Sequence, residues 1–441
     1  MQVGRLRSCG LAKESVVGTL VTPPSEFLRF VPPDSFYPKI NILPAKAIGT
    51  LPDVIIKENQ GPGMLNGMKV KMEMEAENCG NILNACFGLD TAAEVASFIV
   101  GASNSKIDFK EDAGTTRNAT IASLTYPMGT SSAQAGTLCK AVKTAMEAAS
   151  GATGTYTVTY SYSTKKMTIA VAGAVTNVQI LWLTGANNAN GAYSILGFTK
   201  VDTASATSVT SNSTTTVAPF THTFVRQAVT QLPTYSWWFD KNPLYPQFLG
   251  CMLNKLDIMI KAKELVEMDS EWDGLSYDAT GTSKSPTYSP VRPFVFNQAV
   301  VNVDGAPVLN YDNLKISINN MVKADHALSG SIYAAKIYSE GMEVEVSADL
   351  FFEDSTQYNK FLAGTTAHIG IVLTSGDDIT SAASGQKYAL TLDFPIVAYK
   401  SANLPIPSGV LKIPFIGSAV YDTVTAKTMD VVLKNGVVAA F

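Results

Sequence analysis

The sequence predicts a mainly β (α+β) fold: two β-sandwich domains, each with a flanking helix, and an inserted α+β domain. Three observations carry that prediction. Gly67-Met68-Lys69-Val70-Lys71-Met72-Glu73-Met74-Glu75 is echoed by Gly341-Met342-Glu343-Val344-Glu345-Val346-Ser347-Ala348-Asp349. Both copies alternate apolar and charged residues with period two, as a strand does when one face is buried and the other wet. Each is followed by a short helical stretch with an apolar end, Asn81 to Phe87 and Ser355 to Leu362. A strand–helix unit that occurs twice points to two similar domains. The third observation is compositional. Apolar residues make up 46% and charged residues 16% of the 441 residues, with abundant Thr, Ser, Ala and Gly. That balance suits a β-rich protein that hides surface in an assembly, and it excludes a disordered chain.

The elements follow in chain order. Residues 1–50 carry Pro23-Pro24, Pro32-Pro33 and Pro38 and few periodic runs, so they read as an extended arm. Strands run from about Lys46 to Ala76. Residues 51–105 and 213–250 are assigned to the first domain, 106–212 to the insert and 251–441 to the second domain. Within the insert, Ala133 to Ser150 puts Leu138, Val142, Ala145, Met146 and Ala149 on one helical face. Tyr156, Val158, Tyr160 and Tyr162 alternate with Thr and Ser, and a turn at Ser163 to Lys165 leads to Met167, Ile169 and Val171, which makes a hairpin. Val178 to Leu183 reads as a buried strand, and Thr203 to Thr216 as a linker. Leu256, Ile258 and Ile260 mark a half-buried strand whose ribbon continues past a bulge near Glu264. Residues 274–293, rich in Ser, Thr, Tyr and Pro, form a long loop. Further strands cover Lys315 to Ile318, Ile369 to Leu373, Tyr388 to Phe394 and Met429 to Leu433.

Charge and motifs exclude more than they assign. The net charge is −4, with eight basic and five acidic residues in 106–212, so that segment is +3 and the remainder −7. Nothing here is a general basic footprint for nucleic acid. No apolar run approaches the ~20 residues that span a bilayer, and the start leads into no apolar core, which predicts no signal peptide and no membrane partner. Cys9, Cys79, Cys86, Cys139 and Cys251 are scattered without a CxxC, as buried thiols made in a cytosol would be. His222, His326 and His368 stand apart, so no metal or catalytic cluster is expected. Gly61-Pro62-Gly63 has the wrong spacing for a phosphate loop, and Asp269 to Gly274 lacks the closing Glu of a calcium loop. No cofactor follows from any of these. Trp237 and Trp238, among Pro233, Tyr235, Phe239 and Tyr245, read as core or as a subunit contact. Glu73, Glu75 and Glu77 share one strand face, and Glu343, Glu345 and Asp349 share the equivalent face. A solvated surface accounts for them, and so does a lumen whose acidic wall repels duplex phosphates.

Several passages resemble the major tail tube proteins of long-tailed bacteriophages. They are Leu11-Ala12-Lys13-Glu14-Ser15-Val16-Val17-Gly18-Thr19 with the arm behind it, the units Gly67 to Gly88 and Gly341 to Gly364, Thr221-His222-Thr223-Phe224, and Asn313 to Asn320. The resemblance implies tail-tube-type β-sandwich domains whose subunits form stacked rings in the virion tail, after synthesis in the host cytoplasm. It implies a structural role rather than an enzymatic one, with a tape-measure protein, a tail terminator and distal tail proteins as partners and DNA passing through without specific binding. Two such domains in one chain predict trimeric rings with pseudo-sixfold symmetry, hexameric rings being the alternative. Glu73, Glu75, Glu343, Glu345 and Asp349 are then the lumen candidates, and Trp272, Tyr277, Tyr288 and Arg292 the ring-stacking candidates around the loop 274–293. The competing reading has the insert docking host glycans through Tyr156, Tyr160, Trp182 and Tyr193. An enzyme would need carboxylates facing each other across a cleft, whereas these lie along strands.

Overall fold

In the computed structural model the described residues are 8–31, 36–44, 58–95, 98–215, 217, 219–226, 232–241, 243–308, 311–352, 355–379, 386–402, 411–438 and 440–441. The parts of the expected arm at 1–7, 32–35 and 45–50, and the start of the first domain at 51–57, lie outside them. The described chain is mainly β, with thirty strands against three α-helices.

The N-terminal part gives β1 (Ser8–Lys13), β2 (Glu26–Leu28), β3 (Phe30–Val31), β4 (Lys39–Pro44), β5 (Glu58–Met64), β6 (Met68–Glu73), α1 (Cys79–Phe87) and β7 (Gly88–Glu94). Next come β8 (Phe98–Ile99), β9 (Lys106–Glu111), β10 (Thr116–Thr120), β11 (Thr125–Tyr126), α2 (Leu138–Glu147), β12 (Gly154–Ser161), β13 (Lys166–Gly173), β14 (Val178–Ile180) and β15 (Ser208–Thr210). These pack around a core of their own, from Phe98 to Val217. The expected hairpin is β12–β13, with Tyr156, Val158 and Tyr160 inward. Helix α2 begins at Leu138 rather than Ala133 because the Thr137 side chain accepts the Lys140 N–H and caps it there. The tract 203–216 is not a free linker. Ser208–Thr210 pairs with β13 and turns Val209 inward, since Thr and Ser flanking a Val suit a half-buried strand.

The chain continues through β16 (Phe220–Arg226), β17 (Tyr235–Asp240), β18 (Gln247–Lys261), β19 (Glu267–Asp273), β20 (Ser276–Asp278), β21 (Ala299–Val303), β22 (Ala306–Val308) and β23 (Tyr311–Asn319). The last elements are β24 (Val322–Asp325), β25 (Lys336–Ser339), β26 (Glu343–Phe351), α3 (Thr356–Ala363), β27 (Thr366–Asp378), β28 (Lys387–Ala402), β29 (Lys412–Ala419) and β30 (Asp430–Asn435). The ribbon expected to run on past Glu264 instead reverses. Lys263 adopts φ 70°, the Glu264 N–H bonds to Lys261 O, and β19 folds back antiparallel on β18.

Pairing yields one continuous strand order, β3–β6–β19–β18–β23–β26–β29–β28. Its two four-strand halves share part of their chain order. In each, a first strand leads through a hairpin (β4–β5 or β24–β25) to the repeated strand (β6 or β26) and its helix (α1 or α3). In each, a long strand (β18 or β28) ends the set and pairs with the strand that follows it. The other ends of the long strands join a second layer: β18 meets β17 and β20, while β28 lies between β27 and β30. Strand β30 also pairs with β16, and β16 with β7. One apolar core, reaching from Cys9 to Leu433, fills the space between the layers. All five cysteines are buried thiols, none of them in a disulfide.

The two helices differ in burial. Eight of the nine α1 residues are buried, against β7, β16 and β18. No residue of α3 is buried, and Leu362 is 63% exposed.

Candidate assembly surfaces

The strand alternation fixes what the eight-strand sheet shows to solvent. Met68, Val70, Met72, Leu256, Ile258, Ile316, Ile318, Val344 and Val346 point into the core. Their neighbours Lys69, Lys71, Glu73, Lys255, Asp257, Glu267, Asp269, Glu271, Lys315, Glu343, Glu345 and Asp349 therefore share the opposite face. Adjacent strands bring opposite charges together on that face. Lys69 meets Glu271 at 3.2 Å, Lys71 meets Glu267 at 2.7 Å, and Asp257 takes Lys315 at 3.0 Å, with Lys255 of its own strand at 3.4 Å. Burial would push the Asp257 carboxyl up, but hydrogen bonds from Ser317 and Lys315 hold it below the usual range. Asp269 goes the other way: burial raises it, and Asp257 and Glu271 add to the rise against Lys69 and Lys71.

The lumen candidates thus stand in different settings. Glu73, Glu343, Glu345 and Asp349 lie on the polar face, where Asp349 accepts from Asn313 Nδ2 at 2.9 Å. Glu75 does not. Strand β6 ends at Glu73, the alternation lapses, and the Glu75 side chain turns inward with 2% exposure, held by Arg29 at 3.0 Å and Asn78 at 3.0 Å. The face is also of mixed charge rather than an acidic wall, because lysines on β6, β18 and β23 interleave with the acids.

The stacking candidates divide similarly. Trp272 is fully buried between Tyr235 and Trp237, with ring centroids at 5.8 and 5.2 Å, and cannot meet a neighbour. The reason is parity: Met268, Ser270 and Trp272 form the inward row of β19. Tyr277 sits on β20 against Phe248, and Tyr288 lies under the Arg29 guanidinium. Arg292 is exposed and paired with Asp377. The expected long loop is shortened by β20. The sequence reading missed a second surface feature, the two equivalent hairpins. They touch where Gly63 N–H donates to Ile332 O at 2.7 Å and His326 Nε2 lies 3.2 Å from Gly63 O. Hairpin β4–β5 exposes Ile40, Ile42 and Leu43, and the β24–β25 connection exposes Leu328. The apolar alternation at 40–43 was the available signal.

Trp237 and Trp238 are core residues, the first fully buried. In the module between 98 and 217, Tyr156, Tyr160 and Trp182 are buried too, at 0%, 3% and 1% exposure. Three of the four aromatics proposed to stack on glycans therefore have no free ring face, and that docking mode is set aside. The module meets the body through Glu94 at the end of β7. Its carboxylate accepts the Met128 N–H at 2.9 Å, the Gly129 N–H at 3.1 Å and the Tyr162 hydroxyl at 2.5 Å. The Tyr162 ring packs edge-on against Phe220. Among the described residues no group of His, Cys, Asp and Glu is placed to hold a metal ion, and no helix is long and apolar enough to cross a membrane.

Residues 227–406 match the family model described as phage tail tube protein. The match supports a structural component of a phage tail tube. No curated protein matches the chain.

Proposed function

We infer that the chain is a self-assembling subunit of a phage tail tube, forming stacked rings around a channel for DNA. The observation that carries this reading is the repeated strand order β3–β6–β19–β18 and β23–β26–β29–β28. The sheet already runs through two like sets inside one chain, and each end offers an edge on which to continue. At one end β3 covers, among the described residues, only Lys71 and Met72 of β6. At the other, Tyr399 to Ala402 of β28 pair only with β29 among the described residues. Joining such edges between copies removes them and closes a barrel. Three copies would give six sets, hence a trimeric ring with pseudo-sixfold symmetry.

In this arrangement the polar face lines the channel, with a tape-measure protein inside before DNA passes and terminator and distal tail proteins at the ends. Its interleaved charges give phosphates no continuous basic track to hold. The touching hairpins, with the surface around Tyr288 and Arg292, are the natural contacts between rings. The module from 98 to 217 has its own core and, among the described residues, adds no strand to the shared sheet, which supports its reading as an inserted domain.

Negative-stain electron microscopy of the concentrated protein tests the proposal. Hollow tubes or rings of three chains are expected. Rings of six chains would defeat the pseudo-sixfold assignment, and a monomer that never assembles, even when offered tail tips as nuclei, would defeat the tube itself.

A further inference from the structure

We propose that Asn66-Gly67, in the turn between β5 and β6, is a self-modification site with Asp273 as its general base. The Gly67 nitrogen closes on the Asn66 side-chain amide and converts Asn66 to aspartate or isoaspartate. Asn66 is exposed, and its side chain has no hydrogen-bond partner among the described residues, so it is free to rotate towards the next peptide nitrogen. Gly67 adopts φ 63°, which suits glycine, and no Cβ shields its nitrogen. Its N–H donates to Asp273 Oδ1 at 2.8 Å, within the reach a general base needs. Asp273 ends β19 and is itself buried, at 6% exposure.

The surroundings make this carboxylate a better base than an ordinary aspartate. Burial pushes it up to about 6, and Glu271 of the same strand adds to the rise, while the Gly67 N–H and Lys39 of β4 oppose it. From β18 the buried Cys251 thiol also faces it, and Lys69 of β6 is taken by Glu271 at 3.2 Å. Near neutral pH Asp273 is therefore ionised and still well matched to accept a proton. As the bond from Gly67 N to Asn66 Cγ forms, the amide proton passes to Asp273 and from there to the departing Asn66 Nδ2. The Cγ–Nδ2 bond breaks and ammonia leaves. Water then opens the cyclic imide at one carbonyl or the other, giving aspartate or isoaspartate. Lys39 Nζ lies 3.3 Å from Asn66 O, so a cation already stands beside the new carboxylate.

The chain carries its own comparisons, because Asn-Gly also occurs at Asn190-Gly191 and Asn435-Gly436. Asn190 is exposed, but no carboxylate among the described residues meets the Gly191 N–H. At the other pair the Gly436 N–H does donate to a carboxylate, Glu77 Oε1, at 3.2 Å. There the asparagine cannot move: Asn435 is fully buried, its Nδ2 donates to Ala76 O at 3.0 Å, and its Oδ1 accepts the Val437 N–H at 2.9 Å. Only Asn66-Gly67 combines a free side chain with a base on the attacking nitrogen. This inference is independent of the tube assignment.

The test is peptide mass spectrometry of the folded full chain, incubated near neutral pH and sampled over time for aspartate and isoaspartate at the three sites. Asn66 should convert fastest, Asn190 more slowly and Asn435 last; conversion at Asn66 no faster than at Asn190 would overturn the proposal. Asp273→Asn keeps an acceptor for the Gly67 N–H but removes the base. It should slow Asn66 by about a hundredfold, the lower end of what a general base supplies, and leave Asn190 unchanged. An unchanged rate at Asn66 would remove Asp273 from the reaction. The wild-type pH profile gives a second measurement that needs no variant. The Asn66 rate should rise as pH climbs through about 6 and then level off, whereas Asn190, which relies on hydroxide, should keep climbing. Parallel profiles at the two sites would overturn the assignment of the base.

Discussion

Lys315 Nζ sits 3.0 Å from Asp257 Oδ2, and this pair bridges the β18–β23 join between the two four-strand sets. The join is otherwise an antiparallel pairing of Ile258 with Ile316 and Leu256 with Ile318. Replacing Lys315 by Met should cost only about 0.5–1 kcal/mol, because Lys255 and Ser317 still attend Asp257 and the lysine is half-exposed to screening solvent. The depressed Asp257 carboxyl contributes stability that is present above the ordinary Asp range and lost as pH falls through its lower folded value. Thermal melts of wild type and Lys315→Met should therefore converge in strong acid.

Glu26 has the opposite sign. Burial pushes its carboxyl up to about 8, the Asn81 hydrogen bond opposes the shift, and Glu75 and Glu77 reinforce it. A raised carboxyl favours the protonated fold, so stability should fall as pH climbs from about 4.5 towards 8. In Glu26→Gln that slope should flatten. Denaturant midpoints at both ends of the interval check it; an unchanged slope would place the titration elsewhere.

Removal of the Glu94 carboxylate leaves the Met128 and Gly129 amides and the Tyr162 hydroxyl without their acceptor. Glu94→Ala should destabilise the 98–217 module by about 1–3 kcal/mol, read from denaturant unfolding. Tyr162→Phe, which removes one of the three donors, should cost less. Small-angle scattering should also show a looser particle for Glu94→Ala.

Charge reversal separates the lumen candidates. Glu343→Lys with Glu345→Lys changes exposed and half-exposed side chains and should leave folding intact. If these residues line the channel, virions carrying them should eject DNA more slowly. Glu75→Lys would instead bury a cation beside Arg29, and should yield no soluble protein. Normal ejection by the double variant would remove the polar face from the channel.

The sequence made some of this architecture visible and hid the rest for identifiable reasons. Period-two alternation located β6, β12, β13, β18 and β26, and the apolar face at 138–149 located α2. Alternation does not report a turn when the pattern continues through it, which is how the reversal at Lys263 looked like a bulge. Nor does it mark where a strand stops, so Glu75 was placed with Glu73 although the chain turns inward between them. Pairings such as β19 with β6 and β30 with β16 join residues some two hundred positions apart. They depend on packing, which leaves no local trace. The aromatics Tyr156 and Tyr160 announced a strand, but not that their face was the inner one.

The unequal burial of α1 and α3 means that two helices, each following a strand of similar pattern, answer to different constraints. A library of substitutions across both helices would find α1 nearly closed, since even a methyl group at Gly80 collides with Phe441. Helix α3 would accept most changes, so an epitope or fluorophore belongs there. Over long divergence, α1 should keep its spelling while α3 drifts.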